Sequence, residues 1–347
     1  MFHKPLDASV GGRREPGFVR QRAHPVRPGR VTVPMRARVG GPITASLTRS
    51  RRRPRVVDWI EIIRPFSLTG AFVAAIVGAA TSWVDHPLHL AALGLTLVGV
   101  LLMQAGTNVV NEVYDAARGV DSPETPGASH AVVTGRVPAE LALRAGLLLL
   151  VLAVADAVLL SWTFHLGPVP VVIGLAGAVV GHQYTAPPLQ FKYRGLGVPA
   201  VALMLGPLVV LGAQYVQLDH FTVLGLAASV PVALLVTAIL VANDLRDRAA
   251  DKMAGIRTEA TILGATATWQ GFVALLLGAY AFVLVDVATS TVPWPVLLVM
   301  GSLPLALSTL GTGARGALDH LDQRAAAVHL CFGLLLAAGL AIGRVLA

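Results

Sequence analysis

The stretch LVANDLRDRAAD, residues 240–251, decides how this chain folds. It completes an apolar run over 221–242 and then presents Asn243, Asp244, Asp247 and Asp251, with Arg246 and Arg248 interleaved. About twenty uninterrupted apolar residues match the hydrocarbon thickness of a bilayer. Carboxylates crowded at the end of such a run repel one another unless positive charge lies between them. The stretch therefore predicts two things together, a membrane helix and a cation-demanding site at its end.

The rest of the chain agrees with a membrane protein. Of its 347 residues 55% are hydrophobic and 13% charged, and the mean hydropathy is +0.69. That is too apolar for a soluble domain of this size. Nine runs have a suitable length and composition: 66–86, 88–110, 138–160, 166–183, 196–216, 221–242, 266–287, 293–311 and 326–346. Glycine and proline inside several of them are tolerated in membrane helices. The expected fold is all-α and polytopic, with nine transmembrane helices around an apolar cavity.

Charge is distributed unevenly. Residues 1–57 hold 14 of the 27 lysines and arginines and two of the 19 acids. This segment is rich in Pro and Gly, has no apolar periodicity and lacks the apolar core of a signal peptide, so it reads as a disordered basic tail beside anionic lipid; a transit peptide, Arg-rich and acid-poor but short of Ser, and an overcalled start with Met35 as a later one are the alternatives. Residues 58–347 form the helical domain. Nothing beyond charge suggests nucleic acid, and no such partner is expected. The single cysteine, Cys331, lies in the last apolar run and reads as a small buried hydrophobe.

Loop charge orients the helices. With the tail in the cytoplasm, the loops on that side carry Arg118, Arg136, Lys192, Arg194, Arg246, Arg248, Lys252, Arg257, Arg315 and Arg324, with Arg144 just inside the third helix. The opposite loops, WVDHPLH, TFHLG, VQLDHF and VATSTVPW, have no Lys or Arg, and only Arg344 at the C-terminus breaks the bias. This positive-inside pattern places the N-terminus and active-site loops in the cytoplasm and the C-terminus outside. Both acidic motifs fall on the cytoplasmic face.

In NDLRDRAAD, Asn243, Asp247 and Asp251 are spaced i, i+4, i+8 and share one stripe if the helix continues past the membrane, and Asp244 and Asp251 share a side. The first cytoplasmic loop offers a counterpart, NVVNEVYDAARGVD, residues 108–121. There Asn111 and Asp115 are i, i+4, Glu112 adds a carboxylate, and Asp121 follows Gly119, which lets the chain turn. Hard oxygen donors in this number suit Mg²⁺, which favours a few carboxylates together with phosphate oxygens and water. Two facing clusters can hold a metal-bound diphosphate, and an apolar cavity between helices takes a hydrocarbon tail. Head and tail together describe a polyprenyl diphosphate. The bland alternative is a solvated charged face; two matching motifs separated by four helices argue against it.

Between them lies YTAPPLQFKYRGLG, residues 184–197, where Pro187 and Pro188 end a helix and Lys192, Tyr193 and Arg194 precede Gly195 and Gly197. It reads either as an ordinary positive-inside turn or as a cationic flap over diphosphate. His182 before it reads as a packed residue outside the site; His130, in GASHAVVTG, follows the first motif and is a less certain neighbour.

On these residues the chain resembles the UbiA superfamily of intramembrane prenyltransferases. NDLRDRAAD fits the pattern NDxxDxxxD at every fixed position, whereas the first motif departs from it, with Gly119 where a third acid is expected and Asp121 two residues later. That form, together with IIRPFSLTGAFVAAIVGAA, YTAPPLQFKYRGLG and NDLRDRAADKMAGIRT, is similar to the branch that prenylates 1,4-dihydroxy-2-naphthoate in menaquinone synthesis. The resemblance spans about residues 58–347. It implies that Asn111, Asp115, Asp121, Asn243, Asp244, Asp247 and Asp251 hold Mg²⁺-diphosphate and that Arg64, Arg118, Lys192, Arg194 and Arg246 contact phosphate. It also implies that Tyr184 lines the aromatic acceptor pocket and that catalysis rests on Asp115, Asp247 and Lys192. One departure bears on the acceptor: His130 stands where this branch often has Arg. The chain also lacks the Arg-Pro stretch that follows the first motif in the hydroxybenzoate, haem and chlorophyll branches.

Two other readings compete. A terpene cyclase or lipid-ether synthase of the same superfamily would keep the metal motifs and change the acceptor. A transporter with an acidic cytoplasmic gate would place its site near the bilayer midplane on broken helices, and here mid-helix positions carry almost no ionisable residues. Ala, Gly and Arg richness hints at a GC-rich bacterium, and the expected location is a bacterial plasma membrane.

Overall fold

The computed structural model describes residues 53–121 and 129–346, all within the unit Thr44–Ala347. The basic tail expected over 1–57 lies, up to residue 52, outside the described residues.

The described residues are helical, without a named strand. A short helix α1 (Val56–Ile63) turns through Pro65–Ser67 into α2 (Leu68–Trp83). Then come α3 (Leu90–Arg118), α4 (Ala139–Phe164) and α5 (Val169–Gln183). A loop leads to α6 (Gly197–Leu203), which continues through a widened turn, Met204–Leu208, into α7 (Val209–Leu218). There follow α8 (Val223–Ala254), the one-turn α9 (Glu259–Leu263), α10 (Ala265–Ala288), α11 (Leu303–Ala314) entered through the 3₁₀ segment Trp294–Ser302, and α12 (Leu321–Leu346).

Eight spans among the described residues are long and apolar enough to cross a membrane, counting Val56–Trp83, Gly197–Leu218 and Trp294–Ala314 as single spans. α5 is apolar but has 15 residues, less than the ~20 a bilayer asks of a straight helix. The nine runs of the sequence thus correspond to eight long spans and one short one. The kink at Met204–Leu208 has a cause in the chain: Gly206 leaves helical dihedrals and Pro207 lacks the N–H to continue the ladder.

α2, α8, α10 and α12 form the packed centre, joined by α7 and the 3₁₀ segment before α11. Small residues permit the close approaches. A Cβ on Gly78 of α2 would stand 2.2 Å from the Val210 carbonyl oxygen, and one on Gly333 of α12 2.1 Å from Val73. Bilayer helices pack by such contacts because lipid offers no hydrophobic gain for association. α3, α4 and α5 pack on one another beside this centre.

Length positions the site. At 1.5 Å per residue, the 29 residues of α3 span about 43 Å and the 32 residues of α8 about 48 Å. Both exceed a hydrocarbon core of about 30 Å, and both carry their surplus at the C-terminal end, where the acidic motifs lie. Each then stops the same way. Gly119 and Gly255 take left-handed backbone, φ 70° and 68°, and the next amides, Val120 N–H and Ile256 N–H, donate back to the Asp115 and Asp251 carbonyls. This is the helix-ending turn that glycine favours.

Candidate active site

The two helix ends meet through one residue. Val120 and Ile256, each the first residue past its capping glycine, pack on the ring of Tyr193, and all three are buried. The Arg257 N–H also donates to the Tyr193 carbonyl oxygen, 3.2 Å. The loop 184–196 is thereby tied to both motifs.

Between the helix ends is a narrow polar crevice lined by Arg64, Asp115, Asp121, Lys192, Asn243, Asp244, Arg246, Asp247 and Asp251. Five carboxylates and three cations face this space. Asp115 is held on both oxygens: Lys192 Nζ donates to Oδ2 at 2.8 Å and the Tyr193 hydroxyl to Oδ1 at 2.7 Å. Arg246 Nε and Nη2 donate to Oδ1 and Oδ2 of Asp247 at 2.8 and 2.7 Å, and the same guanidinium reaches Asn243 Oδ1 and Asp322 Oδ2. Asp251 accepts from the Thr258 hydroxyl at 3.1 Å. Arg64, in left-handed backbone between α1 and α2, lies 3.1 Å from Glu112 Oε2 and 3.7 Å from Asp121 Oδ2.

The charges have not been balanced within the protein. Burial first, and the Asp115 charge next, push the Asp121 carboxyl up to about 6, and its buried Oδ2 has no hydrogen-bond partner. For Lys192 burial pulls the other way, but the Asp115 and Asp121 charges dominate and hold the ammonium above its usual range. A negative excess lined by carboxylate and amide oxygens fits a hard divalent cation such as Mg²⁺. Among the described residues no three acidic, histidine or cysteine side chains converge as a self-sufficient metal cage.

The crevice adjoins a second space. A cavity of about 280 Å³ shares Arg64, Asp115, Lys192 and Asn243 with it. One face of α3 lines this cavity from Asp115 through Asn111, Asn108, Thr107, Met103 and Gly99 to Thr96, and α4, α5, α7 and α8 close it. Beyond the polar mouth its wall is mostly aliphatic and glycine.

Most sequence-expected residues gather here. Asn111 lines the cavity, with Oδ1 accepting from the Thr185 hydroxyl at 2.8 Å. Tyr184 is a buried part of the same wall, and burial, followed by the Asp244 charge, pushes its hydroxyl pKa up. Two residues lie elsewhere. The Arg118 guanidinium stacks 4.3 Å from the Tyr193 ring centre and donates to Gln190 at 2.7 Å. Exposed Arg194 donates to the Pro188 carbonyl at 2.8 Å. Neither is among the crevice-lining residues: their bonds hold the 184–196 loop. His130 uses its N–H on Glu61 Oε1, 2.8 Å away, in a group where Arg136 also bridges Asp58 and Glu61.

Three participants were not among the sequence candidates. The sequence presents Tyr193 as a loop residue, with nothing local to pair it with Asp115. Asp322, in the first turn of α12, is buried against Arg246 and lines the cavity; its one signal was being an acid at the start of a helix on the motif-bearing face. Asp156, midway along α4, is an ionisable residue in a mid-helix position and lines the cavity.

Residues 71–342 match the UbiA prenyltransferase family. The chain is 32% identical over 225 residues to the 1,4-dihydroxy-2-naphthoate octaprenyltransferase of Bacillus subtilis, covering 64% of this chain and 69% of that one. It is 31% identical to the Mycobacterium tuberculosis protein of the same name, covering 83% and 98%. A solved UbiA homologue from Aeropyrum pernix superposes with a TM-score of 0.61 at 17% identity, covering 83% of this chain and 98% of that one. Another, from Archaeoglobus fulgidus and bound to DMAPP and Mg²⁺, gives 0.54 at 15% identity, covering 81% and 99%. At these identities the two structures speak for the fold.

Proposed function

We propose, on the premise that this chain belongs to the UbiA prenyltransferase family, that it transfers a polyprenyl group from an isoprenyl diphosphate to 1,4-dihydroxy-2-naphthoate, with Mg²⁺, in menaquinone synthesis. The observation that carries this reading is that a carboxylate-rich crevice and a long, mostly apolar cavity adjoin across four shared wall residues, Arg64, Asp115, Lys192 and Asn243. A diphosphate with its metal belongs in the first and a prenyl chain in the second. The curated relatives named for that acceptor support the choice. The motif-bearing face is cytoplasmic in this reading, and the membrane a bacterial plasma membrane.

Asp115, Asp121, Asn243, Asp247 and Asp251 would hold Mg²⁺, with Asp244 beside them and Asn111 at the mouth. When bound, the metal supplies positive charge that stabilises diphosphate as a leaving group. Lys192 and Arg246 place further positive charge against the phosphate oxygens that gain charge as the C–O bond breaks. Arg64 extends this field from the other side. The apolar wall keeps water from the allylic cation left behind, which it would otherwise quench. Tyr184 borders the junction of crevice and cavity, where the electron-rich ring of the acceptor attacks the cation. The acceptor ring then loses its carboxyl group as CO₂, which restores aromaticity.

The test is prenyl transfer by purified protein with radiolabelled geranylgeranyl diphosphate, Mg²⁺ and dihydroxynaphthoate, hydroxybenzoate or homogentisate. Metal-dependent labelling of dihydroxynaphthoate, abolished by EDTA and by Asp115→Asn and Asp247→Asn, is expected. Diphosphate release without a labelled acceptor would move the reading to a cyclase; no release with any donor would overturn it.

A further inference from the structure

Deep in the apolar cavity is a carboxyl group that the proposed chemistry does not use. Asp156 lies midway along α4 and lines the cavity. Its carboxyl rests directly over Gly99 of α3, where a Cβ would come within 2.4 Å of Oδ2. Among the described residues no hydrogen bond or ion pair engages it, and its neighbours in the wall include Val100, Ala157, Leu160 and Ile173. The nearby Thr96 hydroxyl is spent on the Ala92 carbonyl at 2.8 Å. Ionisable groups within a membrane helix are costly and tend to mark function.

Its depth is defined by α3. Gly99 is sixteen residues before Asp115 on the same cavity-lining face, which puts the carboxyl about 24 Å along the helix from the diphosphate crevice. A hydrocarbon chain that enters at Asp115 and extends along α3 first passes Asn111, Asn108 and Gln104, whose amides are engaged in hydrogen bonds, and then Met103 and Val100 before that level. There it meets a polar group with no partner, and covering that group with hydrocarbon removes its access to water without offering a hydrogen bond.

We propose that Asp156 limits the length of the prenyl tail that the cavity accepts. The inference rests on the prenyltransferase reading above and deepens it to donor specificity. Tails ending short of Gly99 bind without cost, and tails passing it are penalised, so discrimination comes from a repulsive element and not from an added attraction. Gly99 is part of the device, since any side chain there would displace the carboxyl from its place in the wall.

The experiment is equilibrium binding of farnesyl, geranylgeranyl and octaprenyl diphosphates to detergent-purified protein in Mg²⁺, for wild type, Asp156→Leu, Asp156→Ala and Asp156→Asn. Both apolar variants are expected to tighten octaprenyl relative to farnesyl diphosphate by roughly tenfold, while Asp156→Asn keeps the wild-type ratio. Having two apolar variants guards against one failing to fold. An unchanged ratio in both, or an equal shift in Asp156→Asn, overturns the inference and leaves prenyl transfer standing. Failure of the wild type to bind any of the three donors overturns prenyl transfer and the inference with it.

Discussion

The Tyr193 hydroxyl donates to Asp115 Oδ1 over 2.7 Å, while the ring that carries it is packed between Val120 and Ile256, the residues that close the two motif helices. One side chain thus orients a candidate metal ligand and locks together the helix ends that form the crevice. The two roles are separable. Tyr193→Phe keeps the ring and is expected to cost about 1–3 kcal/mol for the lost bond to a charged acceptor, with prenyl transfer falling more than stability. Tyr193→Ala also opens the packing and is expected to cost about 3–5 kcal/mol. Thermal unfolding measured beside turnover separates the two; equal effects of both variants on stability would exclude the packing role.

Lys192 and Asp115 form a buried pair at 2.8 Å, their side chains 14% and 2% exposed. Removing one partner strands a buried charge. Lys192→Met alone is expected to destabilise by about 3–5 kcal/mol, and adding Asp115→Asn should restore much of that. Activity should stay absent in both, because the double variant lacks a cation and a carboxylate on which the proposed chemistry relies. Recovery of stability without activity is the signature to look for.

Asp322 touches the crevice through Arg246, whose guanidinium it anchors from α12. Asp322→Asn keeps the shape and weakens that anchor. The expected result is a KM for prenyl diphosphate raised about tenfold or more, with a smaller change in the apparent Mg²⁺ affinity. A change confined to Mg²⁺ affinity would place Asp322 among the metal ligands instead.

The Asp121 carboxyl, pushed up to about 6 from 3.8 by burial and by Asp115, would make the proposed metal binding pH-dependent. The folded protein holds this proton more tightly than the unfolded chain does. Its contribution to metal-free stability is therefore complete below pH 3.8 and lost as pH rises through about 6. Mg²⁺ needs the ionised form, so its apparent affinity should weaken below pH 6 by up to about tenfold per unit. The Mg²⁺-induced rise in Tm, recorded from pH 5 to 8, should grow with pH and lose much of that slope in Asp121→Asn.

Gly78 tests the packing far from the chemistry. A Cβ there meets the Val210 carbonyl oxygen at 2.2 Å, a backbone atom that cannot rotate away. Gly78→Ala is expected to cost about 1–3 kcal/mol, seen as a lower Tm, with little change in turnover per folded molecule.

Much of this protein was legible in one dimension. Apolar runs of bilayer length, the one-sided distribution of Lys and Arg, and the i, i+4, i+8 spacing of Asn243, Asp247 and Asp251 are local properties. They settled the all-helical membrane fold and drew attention to two facing acidic segments, because bilayer thickness and helix periodicity act on consecutive residues. Tertiary structure decided the rest. Nothing local tells that Arg118 turns to Gln190 and the Tyr193 ring instead of lining the crevice, since a guanidinium finds whichever acceptor the packing brings near. Nothing local separates Asp322 from other acids at helix starts until α12 is set against α8. Asp156 is a lone acid in an apolar run until α3 lays Gly99 beneath it and its carboxyl becomes part of a cavity wall. Side chains distant in sequence interact only once the helices pack, and the packing depends on every helix at once.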